Sequence, residues 1–528
     1  MKSPNRIDLD QKQIDALLQR VKNQELEQGD YEIIKGLIDT LKLLGQAVDE
    51  KAASIKRLLR MIFGESSEKK KDLIQNEQAD SEDKDHSSSK DSPPKSPPKG
   101  HGRNSKDEYT GATTCKVPHE SLKPGDACPE CGQGKVYPKK EPETIVRITA
   151  TAPLTATKYE LEKFRCNLCL QIFTAKAPEE AGPEKYDETA RSMIALLKYG
   201  SGFPFHRLQK LQDSLGIPLP ATTQWDLVEQ TAIQIFPALD ELIRQAAQGE
   251  IIHNDDTTMK TQQLIKENQE KSPDRTGMFT TGIVSVLNGR QIAIFATGRQ
   301  HAGENLDDLL TKRDQDLPPP IHMCDALSRN IPKSLQTLLA HCLTHGRRNF
   351  VDVLDNFPEA CRHVIEQLAL VYKNDELAKE QKMSAQERLE FHQQESGPVM
   401  DELQAWCSAQ LEEKIVEPNS GLGKATTYML KHWMPLTLFL RVPGAPLDNN
   451  ICERILKKSI LHRKNSLFYR TLHGARIGDL FMSLIHTCNL NRANPFDYLT
   501  ELQKNFKEMQ DAPQNWMPWN YKKNLLNR

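Results

Sequence analysis

The chain has 528 residues, which exceeds the roughly 250–300 residues that one hydrophobic core can serve, so several domains are expected. Lysine and arginine (70) nearly balance aspartate and glutamate (72), so the net charge of −2 excludes no class of partner. No apolar run approaches the roughly 20 residues of a membrane span, and the first residues lack the apolar core of a signal peptide. These features predict a cytoplasmic protein with no membrane partner.

The first 108 residues consist of two segments of different composition. Segment 8–64 has a heptad repeat, formed by Ile34, Leu41, Val48, Ile55 and Ile62. This spacing predicts a helical coiled coil through which the chain self-associates, and an amphipathic helix packed on its own chain is the alternative. Segment 65–108 is rich in proline, serine and lysine, which predicts a disordered linker.

Two CxxC pairs lie in segment 109–175. Their cysteines are Cys128, Cys131, Cys166 and Cys169. Four thiolates in two turns suit one tetrahedral Zn²⁺ ion, and a site with four protein ligands is structural. The long β-rich stretch between the pairs favours a zinc ribbon over a short zinc finger. Cys115 and His119 lie nearby, and we interpret them as spectators.

Segment 176–249 has a helical pattern. A glycine ends one stretch and threonines begin the next in LGIPLPATT, which indicates a DNA-binding region that resembles a helix-turn-helix. His206, Arg207 and Lys210 would then contact phosphates. A purely structural layer of helices is an equally good interpretation.

From residue 250 the periodicity becomes that of strands. MFTTGIVSVLNGRQIAIFATG contains two β-rich runs joined by Asn288-Gly289, so Asp255 begins a meander of three strands. GENLDDLLTKR predicts a short helix, PPPIHMCDALSRN a strand that ends at Asp325, and SLQTLLAHCLTHGRRNF a helix followed by a strand. This order is typical of an RNase H-like α/β core. The predicted segments are the core at 250–349 and 441–490, a helical insertion at 350–440 and a C-terminal element at 491–528.

Three carboxylates would meet in this core: Asp255, Asp325 and Glu453, the last within LDNNICERILKKSI. They would repel one another unless cations neutralise them. Two Mg²⁺ (or Mn²⁺) ions do so, and they suit in-line displacement at phosphorus. Because successive strand residues point to opposite faces, Asp255 is favoured over Asp256 as the metal ligand.

Each carboxylate also has a structural alternative. Asp255 and Asp256 fit a polar turn, Asp325 fits a helix cap, and Asn450 with Glu453 fits an N-x-x-E capping box. Together these alternatives leave the order of the strands unexplained.

A basic segment follows Glu453, and Phe468 and Tyr469 are interleaved with it. Its predicted DNA-binding residues are Arg454, Lys457, Lys458, Arg463 and Lys464. This pattern predicts a surface that follows a nucleic-acid backbone. Arg347 and Arg348 in THGRRNF have two interpretations, a clamp beside the scissile phosphate or an ordinary surface pair.

These motifs resemble those of the IS66 family of bacterial transposases. CPEC with CNLC is similar to the family's zinc-binding domain, HNDDTT to its first catalytic motif and CLTHGRRNF to its C-W-A-H-A-R-R-K-F stretch. DNNICERILKKSILHRKNSLF is similar to its D-N-N-x-x-E-R segment. The resemblance implies a DDE triad at Asp255, Asp325 and Glu453. The family commonly has H-A-D-E-T where this chain has HNDDT, and D-G-Y where DAL begins at Asp325.

The resemblance implies that the chain is the DNA transposase of an insertion sequence. It would bind the terminal inverted repeats and target DNA, cleave and transfer strands, and work beside the nucleoid in bacteria with accessory proteins of the same element. One alternative is a catalytically inactive, zinc-dependent DNA-binding protein derived from a transposase. Another is an RNase H-like repair nuclease.

Overall fold

The computed structural model describes most of the second half of the zinc-binding segment and all of the chain after it. The described residues are 17, 19–23, 30–31, 34–35, 121–127, 129, 131, 133–137, 152–165 and 172–526. The predictions for most of 8–64, for the linker and for Cys128, Cys166 and Cys169 lie outside them. The chain forms two compact units, Met1–Val146 and Arg147–Arg528. Within the described ranges, no helix is long and apolar enough to cross a membrane.

The second unit begins with a short hairpin and three helices. Strands β1 (Lys163–Arg165) and β2 (Ile172–Thr174) pair antiparallel. Helices α1 (Glu188–Ala195), α2 (Phe205–Ser214) and α3 (Ala221–Ala247) follow. The basic residues that were considered for phosphate contacts are exposed on α2, whereas α3 buries an apolar stripe, as the structural-layer interpretation predicts.

A five-stranded mixed sheet forms the centre of this unit. Its strands are β3 (Ile251–Thr258), β4 (Phe279–Leu287), β5 (Arg290–Gly298), β6 (Ile321–Cys324) and β7 (Leu338–His341). The spatial order is β5-β4-β3-β6-β7, in which β3, β4 and β5 are antiparallel and β6 and β7 run parallel to β3. Asn288 and Gly289 turn between β4 and β5 with φ of 50° and 75°, so the predicted hairpin is present. This topology is compatible with an RNase H-like core.

Two connections complete the sheet, and one prediction about them is wrong. Helix α4 (Gln262–Lys271) follows β3, and α5 (Ala302–Leu310) precedes β6 as predicted. SLQTLLAHCLTHGRRNF was predicted as helix then strand, but it forms strand β7 and then helix α6 (Leu343–Val351). The parallel pairing of β7 with β6 outweighs the helical preference of its leucine and alanine residues. In the part of the chain that is described, only a 3₁₀ turn at Ser328–Asn330 lies between β6 and β7.

Residues 350–440 are helical, as predicted for the insertion. The helices after α6 are α7 (Pro358–Glu380), α8 (Ala385–Glu395), α9 (Gly397–Glu412), α10 (Gly421–Lys431) and α11 (Trp433–Leu436). A capping box of Ser384 and Glu387 begins α8. Buried apolar side chains of this segment pack with those of β6, β7 and α6 into one hydrophobic core.

A second hydrophobic core lies under the other side of the sheet. The last helices are α12 (Asn450–Ser466), α13 (Leu472–Leu490), α14 (Pro495–Lys504), α15 (Phe506–Asp511) and α16 (Tyr521–Leu526). Buried side chains of α3, α5, α12, α13 and the C-terminal helices pack with those of β3, β4 and β5. The boundary between the two cores therefore coincides with the pairing of β3 with β6.

Helix α13 covers the free edge of strand β5. Polar side chains at four-residue intervals accept backbone N–H groups of the strand: Asp479 from Thr297 (2.7 Å), Ser483 from Phe295 (2.9 Å), Thr487 from Ala293 (3.0 Å) and Asn491 from Gln291 (3.3 Å). An uncovered edge strand is a template for pairing with another chain. This ladder of side chains satisfies the edge without a sixth strand.

Replacing Thr487 by valine should destabilise the fold, because the buried N–H and C=O groups of Ala293 lose their partner. We expect a loss of about 1–3 kcal/mol in the free energy of unfolding, the range for a buried donor left unsatisfied. Thr426→Val is the matched control, since that buried hydroxyl only supplements a carbonyl inside helix α10. Calorimetric unfolding of both variants provides the comparison, and equal losses would contradict the role given to the ladder.

Candidate active site

Asp255 and Asp325 lie side by side on neighbouring parallel strands. Asp255 lies within β3, and Asp325 directly follows β6. The strands pair with Ile251 beside Ile321 and His253 beside Met323. Continuing this register by two residues places Asp325 next to Asp255. The polar-turn alternative for Asp255 is wrong, because β3 continues to Thr258.

A buried amide links the two carboxylates. Asn330 Nδ2 donates to Asp325 Oδ1 at 2.5 Å and lies 3.3 Å from Asp255 Oδ1. Asp325 also accepts the backbone N–H of Leu327 at 3.2 Å, so the turn after β6 fixes its orientation. Asn330 is itself held because its backbone oxygen accepts the Asn254 side chain at 2.8 Å. The two acids are therefore brought together by the turn that replaces the predicted helix.

The environment of Asp255 disfavours its charge. Burial and the nearby charge of Asp325 raise the pKa of Asp255 to about 7, and hydrogen bonds from the Asp256 N–H and Asn330 oppose this only in part. A carboxyl group with such a pKa is poised to exchange its proton for a cation near neutral pH.

Asp256 has a different role from its neighbour. Its side chain is 1% exposed, and it forms ion pairs with His301 Nδ1 at 2.9 Å and with Arg329 at 3.2 Å. These partners lie at the start of α5 and in the turn after β6, on the sheet face opposite to α12. The sequence-based choice of Asp255 over Asp256 agrees with this geometry, since Asp256 is already neutralised by the protein.

Helix α12 docks on β3 at the level of Asp255. Asn449 Nδ2 donates to the Asn254 carbonyl at 3.0 Å, and Asn449 Oδ1 lies 3.1 Å from His253 Nδ1. Burial lowers the pKa of His253 to about 4, so a neutral imidazole makes this contact at neutral pH. Cys452 Sγ donates to the carbonyl of Gly282, the residue opposite Asp255 on β4. A Cβ on Gly282 would come within 3.0 Å of the Leu456 side chain, so only glycine permits this close approach.

Glu453 follows Cys452 in the first turn of α12. Burial raises the pKa of Cys452 well above its usual range, and the charges of Asp255 and Glu453 raise it further, so both acids lie near that thiol. Glu453 Oε1 lies 3.8 Å from His345 Nδ1 on α6. The capping-box alternative is wrong, because Asn449 is the N-cap of α12 and makes no capping hydrogen bond through its side chain.

The outer face of α12 is basic. Arg454, Lys457, Lys458 and Lys464 are exposed along it. Arg463 is half-buried and donates to Thr257 and Thr258, so it holds the end of β3. Arg347 is half-buried and Arg348 exposed, and both lie on helix α6.

Several residues of this region were not singled out from the sequence. They are Asn330, Cys342, His345 and Asn449. Cys342 and His345 lie in CLTHGRRNF, and Asn449 lies in DNN, so both motifs contained the signal. Asn330 lies in no quoted motif, and its partners are visible only after folding.

Comparison with known proteins gives the family. The family model "Transposase IS66 family" matches residues 185–477, more than half of the chain. Three proteins of Sinorhizobium fredii are similar to it. Uncharacterized protein y4hP is 26% identical over 76% of this chain and 74% of its own length. Uncharacterized protein y4jD is 35% identical over 35% and 36%, and uncharacterized protein y4qI is 24% identical over 64% and 63%.

Proposed function

Since the chain belongs to the IS66 family of transposases, we propose that it is a DDE-type polynucleotidyl transferase with an RNase H-like core. It binds the terminal inverted repeats of an insertion sequence and catalyses cleavage and transfer of DNA strands. One observation carries the catalytic part of the proposal: Asp255 and Asp325 share the Asn330 amide on adjacent strands, beside the docked end of α12.

The residues fit divalent cations. Two carboxylates beside each other, one with its pKa raised to about 7, constitute an anionic pair whose repulsion a cation relieves. Oxygen ligands are those that Mg²⁺ and Mn²⁺ prefer. Asp255, Asp325 and Glu453 would hold two such ions, which activate an attacking oxygen and stabilise a leaving one during phosphoryl transfer.

The protein's own groups position the acids and the DNA. Asn330 keeps one oxygen of each aspartate fixed, and Asn449 holds the α12 turn that carries Glu453 against β3. The exposed lysines and arginine of α12 bind backbone phosphates without regard to sequence. The reaction consists of two displacements at phosphorus. Water cleaves the element end, and the freed 3′-hydroxyl then joins target DNA.

Three further parts of the proposal concern the N-terminal unit and the partners. The helix in 8–64 pairs two copies, and Cys128, Cys131, Cys166 and Cys169 hold one structural Zn²⁺ ion. The protein works in the bacterial cytoplasm at the nucleoid, with accessory proteins of the same element.

Stabilisation by Mg²⁺ should increase with pH. Asp255 titrates near pH 7 in the metal-free folded state but near about pH 3.9 in the unfolded chain. The metal-free fold therefore loses stability as the pH rises from about 4 to about 7. Bound Mg²⁺ requires the ionised acid, so the rise in melting temperature on adding Mg²⁺ should grow between about pH 5 and about pH 8.

Differential scanning fluorimetry with and without Mg²⁺ measures this rise. Asp479, whose pKa burial also raises to about 7, contributes equally to both samples and cancels. A rise of constant size across this pH range would contradict a proton exchanged for a cation at Asp255.

Cleavage of the element's own ends is the test of the proposed function. The purified full chain is incubated with DNA that contains the sequences flanking its gene, with Mg²⁺ or with a chelator. We expect strand breaks at the ends that require Mg²⁺ and outcompete random DNA. Binding without breaks would support the catalytically inactive alternative, and breaks independent of end sequence would support a repair nuclease.

A further inference from the structure

Three side chains with different ligand atoms converge beside the carboxylate pair. They are Cys342 at the end of β7, His345 in the first turn of α6 and Glu453 on α12. One sulfur, one imidazole nitrogen and one carboxylate oxygen all lie within 4.8 Å of one another. The chain positions are 108 residues apart at most from Glu453 to His345, so folding alone creates the cluster.

Two of these atoms lack a hydrogen-bond partner. His345 Nδ1 and Glu453 Oε1 are both buried, and among the described residues neither accepts or donates a hydrogen bond. They lie 3.8 Å apart, which is too far for a hydrogen bond between them. Buried polar atoms without a partner are costly, and a native protein usually satisfies them with water or an ion.

The sulfur of Cys342 receives support for a negative charge. The side chain is fully buried, and Cys342 Sγ accepts the backbone N–H of Asn449 at 3.3 Å. Burial raises the pKa of Cys342 to about 11, and the backbone N–H groups of Asn449 and His345 oppose this rise. Without a metal the group is therefore a thiol, and a bound cation would displace its proton.

We propose that Cys342, His345 and Glu453 form a binding site for a thiophilic divalent ion of the Zn²⁺ type. Thiolate, imidazole and carboxylate are the three ligand classes that Zn²⁺ accepts, and three protein ligands leave a fourth position open. Bonds of about 2.0–2.3 Å in tetrahedral geometry put ligand atoms roughly 3.3–3.8 Å apart. Small side-chain rotations reach that spacing from the one observed. Mg²⁺ prefers oxygen ligands, so the thiol distinguishes this site from the proposed catalytic one.

Glu453 belongs to both sites. A Zn²⁺ ion held by Cys342 and His345 draws the Glu453 carboxylate away from Asp255 and Asp325. Resting on the proposed function, this predicts that added Zn²⁺ inhibits Mg²⁺-dependent cleavage and that Cys342→Ser relieves the inhibition. Binding of the ion does not itself depend on the proposed function.

Metal content decides the proposal. Full-length wild type, Cys342→Ser and His345→Ala are stripped with chelator, saturated with Zn²⁺, freed of excess and analysed by mass spectrometry for zinc per chain. We expect each variant to hold one ion fewer than wild type. Cys361→Ser is the matched control, because Cys361 is a fully buried thiol of the insertion core and should leave the zinc content unchanged.

Cobalt gives an independent measurement. The near-ultraviolet thiolate-to-Co²⁺ absorption should fall in Cys342→Ser relative to wild type and to Cys361→Ser. Equal zinc content and equal cobalt spectra in wild type and the variants would overturn the proposal. Since His345 is partly exposed, His345→Ala keeps the test decisive if Cys342→Ser does not fold. Absence of DNA cleavage together with loss of one zinc ion would contradict the proposed function alone.

Discussion

Asp255→Asn should reduce cleavage and strand transfer by about 10³-fold or more while DNA binding is retained. The substitution keeps the shape of the side chain but removes a charge beside Asp325, so divalent cations lose a ligand. Losing several kcal/mol of stabilisation of the transition state corresponds to a rate loss of this order. Labelled element ends with Mg²⁺ measure cleavage, and gel-shift titration of the same DNA measures binding.

The same variant should be more stable than wild type above about pH 7. Burial and Asp325 make the charge of Asp255 unfavourable in the folded, metal-free protein, and an amide avoids that cost. Asp316→Asn is the matched control, since Asp316 is exposed in the loop before β6 and should change neither activity nor stability. Full activity of Asp255→Asn would refute the assignment of Asp255.

Asp256→Ala should have the opposite pair of effects. Removing this buried carboxylate leaves His301 and Arg329 without their shared partner between α5 and the turn after β6. Breaking a buried pair costs about 3–5 kcal/mol, and because Arg329 is 44% exposed we expect about 2–3 kcal/mol less free energy of unfolding. Denaturant titration provides the value.

The folded fraction of Asp256→Ala should still be stabilised by Mg²⁺. The reason is that Asp255, Asp325 and Asn330 keep their contacts on the other face of the sheet. Arg329→Ala serves as the companion variant, with a smaller loss of stability and the same response to Mg²⁺. A variant at Asp256 that stays fully stable but loses the response to Mg²⁺ would reverse the roles of the two aspartates.

The predictions from sequence succeeded where local pattern and tertiary structure agree. Alternation of apolar residues and the Asn288-Gly289 dipeptide define the β4–β5 hairpin, and both are local signals. The placement of Asp325 at the end of β6 followed from a short apolar run ending in an acid. The family motifs located Asp255, Asp325 and Glu453, and the structure brings the first two together.

The errors have a physical origin in non-local contacts. The residues of β7 form a short apolar run that suits a helix or a strand equally, and only pairing with β6 decides. The amide of Asn449 docks α12 on a strand almost two hundred positions earlier, so no local pattern reveals it. The ladder of Asp479, Ser483, Thr487 and Asn491 is visible as a four-residue spacing, but its partner strand is not.

Iron-directed cleavage of the polypeptide is the most direct test that folding gathers Asp255, Asp325 and Glu453 around divalent cations. Fe²⁺ occupies Mg²⁺ sites, and with ascorbate and peroxide it cuts the backbone beside its ligands, which mass spectrometry then locates. We predict cuts near residues 255, 325 and 453 that excess Mg²⁺ suppresses and that Asp255→Asn abolishes at the first two positions. Cuts elsewhere, or cuts at these positions that Mg²⁺ does not suppress, would contradict a shared cation site.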